Sequence, residues 1–373
     1  MTFSVVLAGG GTYGHVGPLL SLADCLRRRD PTVKITALGT REGLEARLVP
    51  DAGYDLEVLP RVPLPRRPTA DILRLPGRLS AAMAAAGRVI ADADVVVGFG
   101  GYVSAPAYLA ARRLGVPIVV HEANARPGLA NRLGARWAAR VAVAFPGTPL
   151  RGAQVVGLPL RRQITTLDRA SQRETARVAL GLRPHPTTLL VTGGSLGAQR
   201  LNETFGAAAA ELVSAGVQVL HAAGRGKEVP VALPEDLRDG GPDRSAPPYV
   251  VVEYLDRMDL AYAAADAVVC RAGAGTVSEV TAVGLAAAYV PLPIGNGEQR
   301  LNAMPVVDAG GGLIVDNAQC TPGWVRDTLV PLLSDGERLA AMGRAAAAFG
   351  IRDGDERLAE LVEQVAAAPR ARA

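Results

Sequence analysis

The stretch SVVLAGGGTYGHVGPLLSLADCLRRR, residues 4–29, decides how the rest of the chain is read. A short apolar run ends in three glycines, a lone histidine follows at His15, and a helical pattern begins. Leu19, Leu22, Ala23 and Leu26 fall on the 3.6-residue period of an amphipathic helix. The text from Gly9 to Gly14 satisfies G-x-G-x-x-G, the dinucleotide fingerprint, but a lone match of that kind is weak. The stretch gains weight from its echo. Residues 187–212, TTLLVTGGSLGAQRLNETFGAAAAEL, repeat the same logic of apolar strand, paired glycines, small polar residue and helix.

Working outward, short apolar runs at 3–8, 33–38, 95–99, 118–121 and 140–144 alternate with helical patterns, and the alternation restarts after Pro159. Further strands are expected at 217–222, 249–252, 267–270 and 288–290. This rhythm predicts an α/β fold with parallel strands joined by crossover helices. At 373 residues the chain exceeds the size of one core, so two Rossmann-like domains are expected, with a cleft between them. The boundaries fall at 1–158 and 159–344. Residues 230–248 read as a surface loop, and the tail from Ala366 reads as disordered.

Composition narrows the classes. A net charge of +4 argues neither for nor against nucleic acid. Cys25, Cys270 and Cys320 lie far apart with no C-x-x-C pair, which speaks against zinc or a disulfide framework and fits a reducing cytoplasm. No signal peptide is expected, because the first apolar run meets glycines at once, and no run approaches the ~18 apolar residues of a spanning helix.

Glycines at 9–14, 100–101, 193–197 and 273–275 all follow expected strands. One such turn is an ordinary tight connection, whereas several in both halves point to a diphosphate met by backbone amides and helix N-termini. An NADP enzyme is the weaker alternative, resting on Arg41 after the second strand. His121, Glu122 and Asn124 follow a strand directly and read as active-site content, and Glu298, Gln299 and Asn302 read as sugar contacts or helix-start residues. Thr276–Glu279, TVSE, is open to two readings, a capping box or a ribose-binding glutamate. His185 and His221 receive no role.

Six motifs, GGGTYGHVGP, GFGGYVSAP, HEANARPGLANR, GGSLGAQRLN, CRAGAGTVSE and NGEQRLNA, stand in the order and spacing of the MurG family. The chain resembles its actinobacterial members from about residue 4 to about residue 361. The resemblance implies a GT-B fold whose last helix, about 345–365, packs back on the first domain, which faces the acceptor and the membrane. It implies inverting transfer of N-acetylglucosamine from UDP-N-acetylglucosamine to the C4 hydroxyl of the muramoyl sugar of lipid I, giving lipid II. It implies no cofactor, no metal in the chemical step and no nucleic-acid partner. By motif, the donor contacts are Thr12, Tyr13, Gly14, Asn124, Arg161, Ser195, Leu255, Ala274, Gly275, Thr276, Glu279 and Gln299, with Glu279 on the ribose. His15 is the first candidate for general base and Glu122 the second.

The resemblance also implies a peripheral protein at the cytoplasmic face of the membrane, with cell-wall synthesis and division proteins as partners. Residues 61–79 mix Arg66, Arg67, Arg74 and Arg78 with leucines and prolines, as suits an anionic lipid surface. Three positions depart from the family pattern: Tyr13 stands in place of glycine or alanine, Leu196 in place of glutamine, and Ala286 in place of proline. The rival readings are a paralogue acting on another lipid-linked or natural-product acceptor, and an inactive UDP-sugar-binding scaffold.

Overall fold

The structure is a computed structural model that describes residues 3–62, 75–237 and 247–369. The chain divides into two compact units, Met1–Arg161 with Arg352–Ala373, and Arg162–Ile351. Arg66, Arg67 and Arg74 of the basic segment lie outside the described residues.

The first unit is built on a parallel sheet of β1 (Ser4–Gly9), β2 (Lys34–Gly39), β3 (Asp55–Val58), β4 (Val95–Gly100), β5 (Ile118–Glu122), β6 (Arg140–Val143) and β7 (Ala153–Val155), in the order 3-2-1-4-5-6-7. β4 and β5 are buried at every position, which is why they open with the unbroken apolar runs Val95–Val97 and Ile118–Val120 instead of alternating patterns. The second unit has β8 (Thr187–Thr192), β9 (Val217–Ala222), β10 (Tyr249–Val252), β11 (Ala267–Cys270), β12 (Ala286–Tyr289) and β13 (Gly312–Ile314), in the order 10-9-8-11-12-13, again all parallel.

Strand order locates the glycine turns. In the first sheet the winding reverses between β1 and β4, and in the second between β8 and β11. The turns at 9–14 and 100–101 leave the first pair, and those at 193–197 and 273–275 leave the second. All four therefore stand at the carboxyl ends of the strands flanking a switch point, where open α/β sheets bind ligands.

Three strands had no sequence signal. β3, β7 and β13 are short edge strands of three or four residues, and β3 and β7 are largely exposed, so no apolar run marks them. The tail is also corrected. Helix Gly354–Ala367 includes Ala366, which packs against the first core because Leu358, Leu361, Val362 and Val365 are buried with Leu19, Leu22 and Leu26 of helix Tyr13–Arg29. Arg28 pairs with Asp355 at 3.0 Å, and Arg29 with Glu356 and Glu363 at 2.9 Å, along the same seam. Helix Gly336–Phe349 stays with the second unit. All three cysteines are buried free thiols, and burial pushes Cys25 up to about 12 and Cys320 up to about 11. Among the described residues no helix is long and apolar enough to cross a membrane.

Candidate active site

In the first unit the turn after β1 is organised around a side chain that sequence reading passed over. Glu45, fully buried, accepts the Gly11 N–H at 2.8 Å on Oε2, and Thr40 N and Oγ1 at 2.8 and 2.9 Å on Oε1. A Cβ on Gly10, Gly39 or Gly43 would collide with this carboxyl or its stem, so three glycines make the space for it. Its signal was the segment Gly39–Glu45, in which two glycines flank a polar turn and precede a glutamate. Arg41, in the same segment, is exposed.

His15 lies inside the first turn of helix Tyr13–Arg29. Its Nδ1 lies 3.0 Å from Gly10 O and 3.4 Å from Thr12 Oγ1. A carbonyl oxygen only accepts, so Nδ1 carries a hydrogen, and whenever the imidazole is neutral its lone pair is at Nε2. Gly100 and Gly101, at φ +100° and +83°, curve past the ring. A Cβ on Gly101 would stand 2.5 Å from Gly10 O, and one on Gly100 3.2 Å from Nε2, so neither tolerates a side chain. Ser104, buried, accepts Gly100 N at 3.0 Å and reaches Ala8 O at 2.9 Å, tying the ends of β1 and β4. Thr12 is the N-cap of the helix, and the Tyr13 ring lies over Gly17.

The trio after β5 separates. His121 is fully buried, donates from Nε2 to Gly157 O at 2.9 Å, and is pushed down to about 4 by burial. It faces the core, which corrects its reading as active-site content. Glu122 is also buried, and its carboxylate accepts Asn124 N at 2.9 Å, Gly128 N at 3.0 Å and Asn131 Nδ2 at 2.9 Å. Tyr108 Oη donates to Asn131 Oδ1 at 2.7 Å and completes the brace. Glu122 thus shapes the loop that carries Asn124, which is itself half-buried.

In the second unit the Gly193–Gly197 turn is packed against backbone, since a Cβ on Gly197 would collide with Ala223 O. Asn202, buried below it, donates from Nδ2 to that same oxygen at 3.0 Å. His221 donates from Nε2 to Asn202 Oδ1 at 3.1 Å and accepts Tyr249 Oη at Nδ1, 2.8 Å away. His221, given no role from sequence, therefore supports the turn, and burial pushes it down to about 4. Ser195 and Leu196 are exposed at the tip.

The turn after β11 starts helix Ala274–Ala282 at Gly273, whose φ and ψ are extended and which has no capping side chain. The capping-box reading of Thr276 and Glu279 is thereby corrected: the N-cap lies three residues earlier, and Thr276 is inside the first turn. The amides of Ala274, Gly275 and Thr276 are the orphan donors of this helix start, and no acidic residue occupies its first turn. Glu279 lies one turn further and accepts Tyr262 Oη at 2.9 Å. Gln299 accepts Ala272 N at 3.2 Å and Leu292 N at 3.0 Å, which holds it beside the same turn. Asn302 is fully buried and donates to Ala272 O at 3.3 Å, so it supports the turn from below and is no sugar contact. Glu298 accepts Asn296 N at its helix start. Leu255 is almost buried beyond β10, and Arg161, half-buried, ends the first unit's long segment.

The chain is similar to known glycosyltransferases over nearly its whole length. Residues 5–143 match the glycosyltransferase family 28 N-terminal domain and residues 188–358 the glycosyltransferase family 28 C-terminal domain. The chain is 60% identical over 368 residues to the UDP-N-acetylglucosamine–N-acetylmuramyl-(pentapeptide) pyrophosphoryl-undecaprenol N-acetylglucosamine transferase of Streptomyces avermitilis, covering 98% of this chain and 99% of that protein. The protein of the same description from Streptomyces coelicolor is 60% identical over 366 residues, 98% of each. The crystal structure of Acinetobacter baumannii MurG superposes with a TM-score of 0.76 at 29% identity, covering 98% of this chain and 100% of that one.

Proposed function

The chain belongs to glycosyltransferase family 28, in its MurG group and with the GT-B fold, and from that premise we propose the reaction and the residues that carry it. The protein transfers N-acetylglucosamine from UDP-N-acetylglucosamine to the C4 hydroxyl of the muramoyl sugar of lipid I, giving lipid II. The observation that carries this reading is the 60% identity running through both units, together with four glycine turns at both switch points.

The second unit takes the donor. The amides of Ala274, Gly275 and Thr276 and the Gly193–Gly197 turn, with Ser195, meet the diphosphate, Glu279 accepts the ribose hydroxyls, Leu255 offers backbone to the uracil, and Gln299 and Asn124 hold the sugar. Arg161 stands beside the nucleotide, and Thr12, Tyr13 and Gly14 contribute from the first unit. The acceptor oxygen forms a bond to the anomeric carbon as the bond from that carbon to the phosphate oxygen breaks, with inversion. His15 Nε2 takes the hydroxyl proton, and the negative charge left on UDP is met by the amides already aimed at it. Glu122 is assigned to the shape of the Asn124 loop.

Because the acceptor is polyprenyl-linked, the protein works on the cytoplasmic face of the membrane. Arg61, which lies over the Tyr102 ring, and Arg78 are the described parts of the basic segment that anionic lipid would meet. The deciding experiment incubates purified protein with labelled UDP-N-acetylglucosamine and a lipid I analogue, with other UDP-sugars as controls. Label should move into the acceptor from UDP-N-acetylglucosamine alone. No transfer, or equal transfer from UDP-glucose, ends this reading.

A further inference from the structure

Gly10 O and Gly11 N belong to one peptide group. Its oxygen accepts the His15 Nδ1 hydrogen at 3.0 Å, and its N–H donates to Glu45 Oε2 at 2.8 Å. The two ionisable side chains are therefore joined through a single amide plane. We propose that Glu45 is a positioning residue for the transfer reaction, acting on His15 through the Gly10–Gly11 peptide. This rests on His15 as the base.

The physical argument begins with burial. Glu45 is 0% exposed, and among the described residues no Lys or Arg pairs with it. Its three partners are all donors, which suits an acceptor-only carboxylate. A carboxyl buried without a cation is a costly way to close a turn. Three glycines keep room for it, and Gly11, at φ +88°, turns its amide toward it. A carboxylate at the N–H end polarises the amide and strengthens its carbonyl as an acceptor, since linked hydrogen bonds reinforce one another. The carbonyl then holds Nδ1 as the protonated nitrogen, which leaves Nε2 as the site that can take a proton. Gly101, packed on Gly10 O, stops the peptide from turning away.

The arrangement predicts a contrast that nuclear magnetic resonance of histidine-labelled protein can read, because the chain has only four histidines. His121 and His221 both donate from Nε2 in this structure, and His185 is exposed, so His15 should supply the one ordered Nδ1–H tautomer. Its signals are assigned by their loss in His15→Ala. An Nε2–H form for His15 in the wild-type protein overturns the proposal without any further variant. In Glu45→Gln the new NH2 must face either Gly11 N–H or the Thr40 donors, so the His15 signals should move toward mixed tautomers, and unchanged signals overturn it.

Turnover gives the second reading. Glu45→Gln should lower kcat about 10- to 100-fold while the affinity for UDP changes less than about 3-fold. In the His15→Ala background the same substitution should have no further effect on kcat. An undiminished further loss there means that Glu45 acts elsewhere and overturns the proposal. Normal turnover in His15→Ala alone removes the base assignment and with it any catalytic consequence of Glu45. The nitrogen spectrum still decides separately whether Glu45 orients the ring.

Discussion

The glycine turn after β1 and the turns of the second unit look alike in sequence and are held by opposite chemistry. Below Gly9–Gly14 lies a buried carboxylate, and the Gly11 amide is committed to it. Below Gly193–Gly197 lies a neutral chain of Tyr249, His221 and Asn202 that ends on Ala223 O, and the helix at Ala274 begins with no acid in its first turn. A negative charge beneath a loop disfavours an anion on it, whereas a bare helix start favours one. The difference supports the proposed division of labour, in which the first unit offers His15 as the base and the bare helix start of the second unit meets the donor diphosphate.

Removing the base tests that division most severely. His15→Ala should reduce kcat by about 10²- to 10⁴-fold while leaving UDP affinity in calorimetry nearly unchanged. A comparable loss of UDP affinity would make the His15 turn a principal nucleotide contact and reverse the comparison.

Acid probes what the two units share. His121 and His221 are each pushed down to about 4 by burial, against an ordinary value of 6.5. Between those values the unfolded chain binds protons that the folded chain does not, so stability falls as pH drops from 6.5 to 4 and is fully present above 6.5. Each site contributes at most about 3 kcal/mol over that window. Chemical denaturation at pH 7, 6, 5 and 4 should show the decline, and His221→Gln should flatten it for the second unit. A flat profile would mean that neither imidazole is as dry as the structure has it.

Smaller effects sharpen the picture. Glu279→Gln keeps an acceptor for Tyr262 Oη but loses the charge offered to ribose, so the dissociation constant for UDP should rise about 10-fold, near 1.4 kcal/mol, with kcat little altered. Thr40→Val removes one of the three hydrogen bonds on Glu45 and leaves the one to Gly11. It should cost about 1 kcal/mol of stability in denaturant titration and less than about 3-fold in kcat. A loss as large as that of Glu45→Gln would make Thr40, and not the peptide relay, the important partner.

How much of this was legible depended on whether the signal was local. β4 and β5 announced themselves because strands buried on both faces open with unbroken apolar runs, Val95–Val97 and Ile118–Val120. β7, with the sequence AQV and every residue exposed, carried no such mark. His15 was conspicuous because it follows glycines at a helix start. Glu45 was not, because its partners Gly11 and Thr40 lie in two different loops. His121 misled for the same reason in reverse: its position after a strand suggested a site, while the pleat turned its ring toward Gly157 O.

By itself the sequence determined two parallel α/β halves, the glycine turns that end their strands, and the motif set that marks the family, since all three are written in neighbouring residues. Only the tertiary structure decided the strand orders that put those turns at switch points, the N-cap at Gly273 in place of Thr276, and the meeting of Glu45 and His15 on one peptide. Each of these depends on where distant segments of backbone come to rest, and hydrogen bonding between them is set by packing that no local pattern encodes.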